Sequence, residues 1–278
     1  MFSSMKRLGV LSLAAIALAA GSALAAPDAQ PTKSYRIGLI AKSQSNPVFI
    51  AARTGAEDAA RDLSKKMGVD IKIDWQTPVD EDAQKQAERV EQLVAGGASG
   101  IAISCSDANI VTSAIDSAVS KGIPVVCFDS DAPKSKRFAY YGTDDFACGQ
   151  QVAAEISKAM GEKGVVAILA GSQTATNLQS RVRGVKDGLK KFPNISIIDT
   201  YYHIETPQDA VAMVEQVQGA NPQITGWAMV GGWPLFTQNA LDKVVGKAKV
   251  VAVDALPAQL DYVTKGQVEV LLAQKVYE

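Results

Sequence analysis

An α/β fold of two Rossmann-like lobes with parallel sheets follows from three observations. Short β-branched runs alternate with longer stretches of helical period from Tyr35 onward, as in stacked βαβ units. Several runs, such as Ile123 to Phe128, are apolar without alternation, as expected of strands covered on both faces. A polar, proline-containing stretch, Asp129 to Arg137, divides the series into two similar halves.

The first strand is Tyr35 to Ala41. The helix opening at Pro47 carries Val48, Phe49, Ala52, Ala56, Ala59, Ala60 and Leu63 on one apolar face, and Gly68 ends it. Strand Val69 to Trp75 leads through Pro78 to a helix marked by Ala83, Ala87, Val90, Leu93 and Val94, closed by Gly96 and Gly97. Strand Gly100 to Ser104, helix Asn109 to Ser120 and strand Ile123 to Phe128 complete the first series. Phe138 to Tyr141 is expected to start the second, followed by helix Phe146 to Met160. Strands Val165 to Leu169, Ile195 to Tyr202, Thr225 to Met229 and Val250 to Val253 then alternate with helices Asn177 to Lys191, Pro207 to Gly219 and Pro234 to Val244. A short helix, Ala258 to Thr264, precedes the last strand, Gln267 to Ala273. The expected organisation is a leader over 1–25, an amino-terminal lobe over 34–137, a carboxyl-terminal lobe over 138–270, and a return toward the first lobe over 271–278. The sequence stops where a covering helix is expected, which predicts a truncated carboxyl terminus with apolar sheet face left uncovered.

The composition narrows the function. The 278 residues are 47% hydrophobic and 21% charged, which excludes a disordered or collagenous chain. With 28 basic and 29 acidic side chains there is no excess of cation to neutralise a phosphate backbone, so nucleic acid is not an expected partner. Lys6 and Arg7 precede the apolar stretch Leu8 to Ala20, and Ala23-Leu24-Ala25 has the small-x-small pattern of a signal-peptidase site. That stretch is shorter than the roughly 20 residues a membrane span requires. Export with cleavage after Ala25 is the expectation, leaving 26 basic against 29 acidic residues. Cys105, Cys127 and Cys148 are odd in number and lack metal-type spacing, so they read as buried thiols rather than a disulfide framework or a metal site.

In open parallel sheets, ligands settle at the carboxyl ends of the strands. Those ends carry Ser43 to Asn46, Ser104 to Asp107, Asp129 to Asp131, Thr143 to Asp145, Gly171 to Asn177, Gly231 to Trp233, and Asp254. Such a rim suits hydroxyl recognition: carboxylates accept from O–H groups, while Arg181 and amide N–H groups serve the lone pairs. Catalytic and cofactor patterns are missing from the sequence. The single histidine, His203, follows Tyr201 and Tyr202 rather than a nucleophile elbow, there is no GxSxG, and the turn after the first strand has no glycine to admit a pyrophosphate. The reading is a non-enzymatic binder of a polyol or sugar that uses no cofactor.

At these residues the chain resembles the ribose-binding type of periplasmic binding protein, type I, the receptors of sugar ABC importers. The landmarks are Ser45-Asn46-Pro47-Val48-Phe49, Ile103 to Asp107, Val126 to Asp131, Gly142 to Asp145, Asn177 through Arg181 to Gly184, Val253-Asp254 and Ala273-Gln274. The resemblance implies that two lobes close over a monosaccharide, pentose or hexose, and that a monomer delivers it to an ABC permease. It implies that Asn46 and Asp129 bind hydroxyls from the first lobe, with Phe49 stacked on the ring. Thr143, Arg181 and Asp254 would act from the second lobe, with Gln274 at a hinge. Asp107 and Asn177 are secondary candidates. Val48 stands where an aromatic is usual, and Gly231-Gly232-Trp233 where an Asn-Asp pair is usual, which points away from ribose itself. Trp233 offers a replacement stacking surface. Bland roles compete: Asn46 as a helix cap, Asp129 as a turn former, Trp233 as helix packing, Arg181 as a surface charge. The alternative function is a receptor for a furanosyl signal such as autoinducer-2, or for a sensor kinase or chemoreceptor.

Overall fold

The computed structural model describes residues 33–278. The export signal and its cleavage after Ala25 lie outside them. Ten strands and seven helices follow in the order β1 (Ser34–Ile40), α1 (Pro47–Met67), β2 (Asp70–Trp75), α2 (Ala83–Ala95), β3 (Gly100–Ile103), α3 (Ala108–Ser120), β4 (Val125–Phe128), β5 (Ala139–Tyr141) and α4 (Asp145–Ala159). Then come β6 (Gly164–Ala170), α5 (Thr176–Leu189), β7 (Ile195–Tyr202), α6 (Pro207–Ala220), β8 (Gly226–Met229), β9 (Lys249–Val253), α7 (Pro257–Thr264) and β10 (Val270–Leu272).

They form two parallel five-stranded sheets, ordered β2-β1-β3-β4-β5 and β10-β9-β8-β6-β7. Two expectations are corrected. Phe138 to Tyr141 does not start the second series: β5 pairs with β4, with Cys127 opposite Tyr140, so the chain leaves the first sheet only after Tyr141. The helix expected over Pro234 to Val244 is a single 3₁₀ turn, Trp233–Phe236, followed by turns. Its backbone is diverted: Asn239 has φ of 60°, and the Ala240 N–H donates to the Tyr262 hydroxyl at 3.0 Å.

Strand alternation sends successive side chains to opposite faces, so the second sheet has a core on each side. Val166, Ile168, Ala228, Val251 and Val253 pack against α4 and α5, while Ala167, Leu169, Trp227, Met229 and Ala252 pack toward α6. In the first sheet, Ile40, Ile101, Ile103, Val125 and Cys127 pack against α2 and α3. A smaller cluster of Ala41, Val48 and Phe49 takes in Phe128 from β4, Phe236 and Leu256 from loops of the second sheet, and Val276. Beyond β10 the chain runs back along α1, where the Tyr277 hydroxyl donates to Asp58 at 2.6 Å.

Two helix contacts position the site. A Cβ on Gly149 of α4 would lie 2.0 Å from the Arg181 carbonyl oxygen, and one on Gly184 of α5 would lie 2.2 Å from that of Phe146. Glycine at both places lets α4 and α5 cross at backbone contact, which sets Asp145 beside Arg181.

Candidate functional site

Loops at the carboxyl ends of strands from both sheets meet across a cleft. Hydrogen bonds cross it: Thr176 Oγ1 donates to the Asp131 carbonyl at 2.9 Å and accepts from the Asp131 N–H at 3.1 Å, Thr174 Oγ1 donates to the Ser106 carbonyl at 3.4 Å, and Asn177 Nδ2 donates to Asp129 Oδ1 at 3.2 Å. Of the expected site residues, Thr143, Arg181, Asp254 and Gln274 come together in one network. Arg181 is 2% exposed; its Nε donates to Asp145 Oδ1 at 2.8 Å, Nη1 to the Val230 carbonyl at 3.1 Å, and Nη2 to Gln274 Oε1 at 2.6 Å. Gln274 Nε2 donates to Asp254 Oδ1 at 2.6 Å, and Thr143 Oγ1 to Gln274 Oε1 at 3.0 Å. Arg181 is therefore no surface charge. Burial works against its charge, but the carboxylates of Asp145, Asp129 and Asp254 outweigh burial, so its proton is held more tightly than usual. Burial raises the Asp254 carboxyl, with Arg181 opposing, and does the same to Asp145.

Asp129 anchors the first wall. Its Oδ2 accepts from Ser104 Oγ at 2.7 Å, its Oδ1 from Asn177, and its carbonyl from the Tyr140 hydroxyl at 2.9 Å. Asp129 and Asp254 share an uncommon feature: each directly follows a strand, β4 or β9, with φ of 55° and 77°. Aspartate tolerates this left-handed region better than most residues, at a cost on the order of 1–3 kcal/mol, and such strain clusters at functional sites.

The other expected residues are placed apart from this network. Phe49 is 3% exposed within the apolar cluster that joins loops of both sheets. Asn46 caps α1, its side chain accepting from Val48 N at 3.0 Å. Asp107 caps α3, accepting from Asn109 N at 2.8 Å and Ile110 N at 3.3 Å, and touches none of the others. Trp233 joins the α4–α5 core and meets His203 edge-on, ring centroids 5.0 Å apart. Cys105 and Cys127 are free thiols with sulfurs 3.8 Å apart, well beyond the roughly 2.05 Å of a disulfide.

Sequence reasoning missed the charged group beside Asp129. Lys42, after β1, is buried, and its Nζ lies 3.2 Å from both oxygens of Glu205, after β7, and 3.7 Å from Glu81 Oε1, after β2. Burial lowers its proton affinity, but Glu205, Glu81 and Asp129 together raise it further. The signal was a basic residue directly after an apolar strand, at an end where the rim was otherwise neutral to acidic. Gln86 of α2, also missed, ties this wall together. It donates to the carbonyls of Ala41 at 2.9 Å and Ser104 at 2.7 Å, and accepts from Ser106 N at 2.9 Å.

Six buried side-chain atoms among the described residues have no hydrogen-bond partner, and three of them, Ser106 Oγ, Ser130 Oγ and His203 Nε2, stand within three residues of the ends of β3, β4 and β7. An unpaired buried polar atom costs about 1–3 kcal/mol, so these positions favour a polar ligand. A cavity of about 590 Å³ adjoins this wall, lined by Val48, Phe49, Phe128, Asp129, Thr143 and Gln274 among others. A second hollow, of about 670 Å³, lies at the opposite, amino-terminal ends of β6, β8, β9 and β10, where this architecture does not place ligands.

Two parallel-sheet lobes with a polar cleft at the carboxyl ends of their strands are the architecture of a periplasmic binding protein. The chain belongs to the family described as periplasmic binding protein domain, which matches residues 37–278. It is similar to the ribose import binding protein of Bacillus subtilis, 30% identical over 152 residues, 55% of this chain and 48% of that protein. It also resembles the D-apiose import binding protein of Actinobacillus succinogenes, 25% identical over 87% of this chain and 74% of the relative. A solved ABC transporter solute-binding protein from Burkholderia graminis, in complex with D-arabinose, superimposes with a TM-score of 0.77 at 29% identity, covering 87% of this chain and 84% of that one.

Proposed function

We propose that this chain captures a neutral monosaccharide between its lobes in the periplasm and delivers it to an ABC import permease, changing no covalent bond. The observation that carries the reading is a pair of hydrogen-bonded groups at the cleft, Arg181 with Gln274, Asp254 and Thr143, and Asp129 with Asn177 and Ser104, which offer paired donors and acceptors from both walls. The relatives named for ribose and D-apiose import, and the neighbour solved with D-arabinose, support the same substrate class. The charge of the cleft refines it. Lys42 and Arg181 face the carboxyls of Glu81, Asp129, Asp145, Glu205 and Asp254, an excess that repels sugar acids and sugar phosphates while accepting O–H donors. Asn46 and Phe49 supply the first-lobe edge of the cage, and Trp233 the second-lobe edge.

In this reading the chain passes between lobes at Gly142 to Asp144 and again at Ala273 and Gln274, and rotation about these crossings opens the cleft. Export with cleavage after Ala25 delivers the mature protein as a monomer. Titrating it by calorimetry with pentoses, hexoses and a uronic acid tests the proposal. Micromolar binding of at least one neutral sugar and none of the uronic acid is expected, and silence across the neutral panel overturns it. Asp129→Asn keeps a residue suited to positive φ but halves the acceptor capacity, and is expected to weaken the best sugar at least about tenfold.

A further inference from the structure

Lys42 and Glu205 carry an inference that rests on the closure reading and extends it to how long the ligand stays bound. Lys42 follows β1, three strands from β5, after which the chain first leaves its sheet. Glu205 follows β7, the edge of the second sheet farthest from β10, after which the chain returns. The pair therefore meets on the side of the cleft away from both crossings. Rotation about the crossings displaces this side most, so a small opening suffices to break the contact.

Each charge is also provisioned within its own lobe. Lys42 has Glu81 of the neighbouring loop at 3.7 Å, and Glu205 Oε1 accepts the Ser172 N–H at 3.0 Å. Parting the lobes leaves each group one local partner and access to water. Bringing them together assembles a cluster in which the lysine, Glu205 and Glu81 side chains are 2%, 5% and 16% exposed. Asp129 is near enough to Lys42 to act on its charge as well. No other ion pair in the described residues joins a loop of the first sheet to a loop of the second.

We propose that Lys42 and Glu205 form a clasp across the mouth of the cleft, an ion pair made on closure and broken on opening, which sets the rate at which the sugar leaves. The removal of either partner of a desolvated pair acts mainly on dissociation, because the survivor is left buried and unpaired in the closed state. Gln86, by holding the Ala41 and Ser104 carbonyls, keeps Lys42 in place when the lobes part.

The test uses the mature protein and the tightest-binding sugar of the panel, with release followed by stopped flow and affinity by calorimetry. Lys42→Met and Glu205→Gln are each expected to speed release at least about tenfold with a smaller change in association. The double variant is expected to be no worse than the worse single one, since both remove the same contact. Lys42→Arg should restore release to within about threefold of the parent. Unchanged release, or effects of the two substitutions that add, overturns the clasp. A defect in Lys42→Met that Glu205→Gln does not share also overturns it, because Lys42 then serves the sugar directly. Should Lys42→Met fail to fold, Glu205→Gln with rescue by Glu205→Asp decides the matter. If no sugar binds, the receptor reading fails and the clasp is judged by small-angle scattering. A radius of gyration larger in Glu205→Gln than in the parent sustains it, and an equal radius refutes it.

Discussion

The two walls of the cleft each carry one buried cation, and the two are held in opposite ways. Arg181 is satisfied by Asp145 and Val230 of its own sheet and by Gln274 at the crossing, so its guanidinium is fixed whether or not the lobes meet. Lys42 has its shorter ion pair on the far wall and only the longer one, to Glu81, on its own. The second wall is thus built in advance, whereas the first is completed by closure. Preorganised polar groups raise affinity by reducing the ordering needed on binding, while conditional ones report that binding has happened.

The comparison is broken or sharpened most strongly at Arg181. Arg181→Met strands Asp145, Asp254 and Gln274 in the interior of one lobe, and breaking a buried pair in this way costs about 3–5 kcal/mol. Sugar binding is expected to fall below detection, and the denaturant midpoint to drop by the corresponding amount. Lys42→Met strands Glu205 instead, but Glu205 regains water by opening of the cleft rather than by unfolding. Its loss of stability should be less than half that of Arg181→Met. Equal losses in denaturant titrations would show that both cations are core groups and that the contrast between walls is wrong.

A smaller effect isolates Glu81. Burial, reinforced by Glu205 and opposed by Lys42, lifts its carboxyl from 4.5 to about 7. A folded chain that holds a proton the unfolded chain has released is favoured by acid. The contribution is fully present below about 4.5 and is lost as pH rises through about 7. Thermal unfolding between these limits should therefore show a Tm that falls as pH rises, and Glu81→Gln should flatten that slope. A slope identical in parent and variant would mean that Lys42 keeps Glu81 ionised throughout, making the Lys42–Glu81 pair as strong as the cross-cleft one.

Much of this was legible in the sequence because it rests on local rules. Alternating strand and helix periods gave the parallel sheets, and the strand-end rule pointed to the positions of Asp129 and Asp254 before any contact was known. Arg181, four residues beyond the strand-end segment that closes at Asn177, was given its place in the second wall through the family resemblance. Three things were not legible. The side of the boundary to which Phe138 to Tyr141 belongs is decided by which sheet has an open edge, and the pairing of Cys127 with Tyr140 is a long-range fact. The helical pattern at Pro234 to Val244 was real, yet Tyr262, distant in sequence, captures the Ala240 N–H. Lys42 was passed over because a lysine gains meaning only beside partners such as Glu205, 163 positions away in the chain.

The smallest expected effects separate two residues that share a structural role. Asn46 and Asp107 each cap a helix of the first lobe, α1 and α3, and each is expected to lose about 1 kcal/mol of stability on substitution by alanine. They differ in what remains to offer a ligand. Asp107 spends one oxygen on two backbone N–H groups at the mouth of α3, apart from the groups around Asp129 and Arg181. Asn46 uses its Oδ1 on Val48 N, while its Nδ2 donates to no group among the described residues. Asp107→Ala should therefore leave sugar affinity unchanged, and Asn46→Ala should weaken it by about three- to tenfold. Asn46→Asp sharpens the test, because it keeps the capping oxygen and removes only the donor. Melting should then stay at the parent value while calorimetric affinity falls as in Asn46→Ala. A sugar affinity that follows stability through all three variants would leave Asn46 a cap alone and move the first-wall contact entirely onto Asp129.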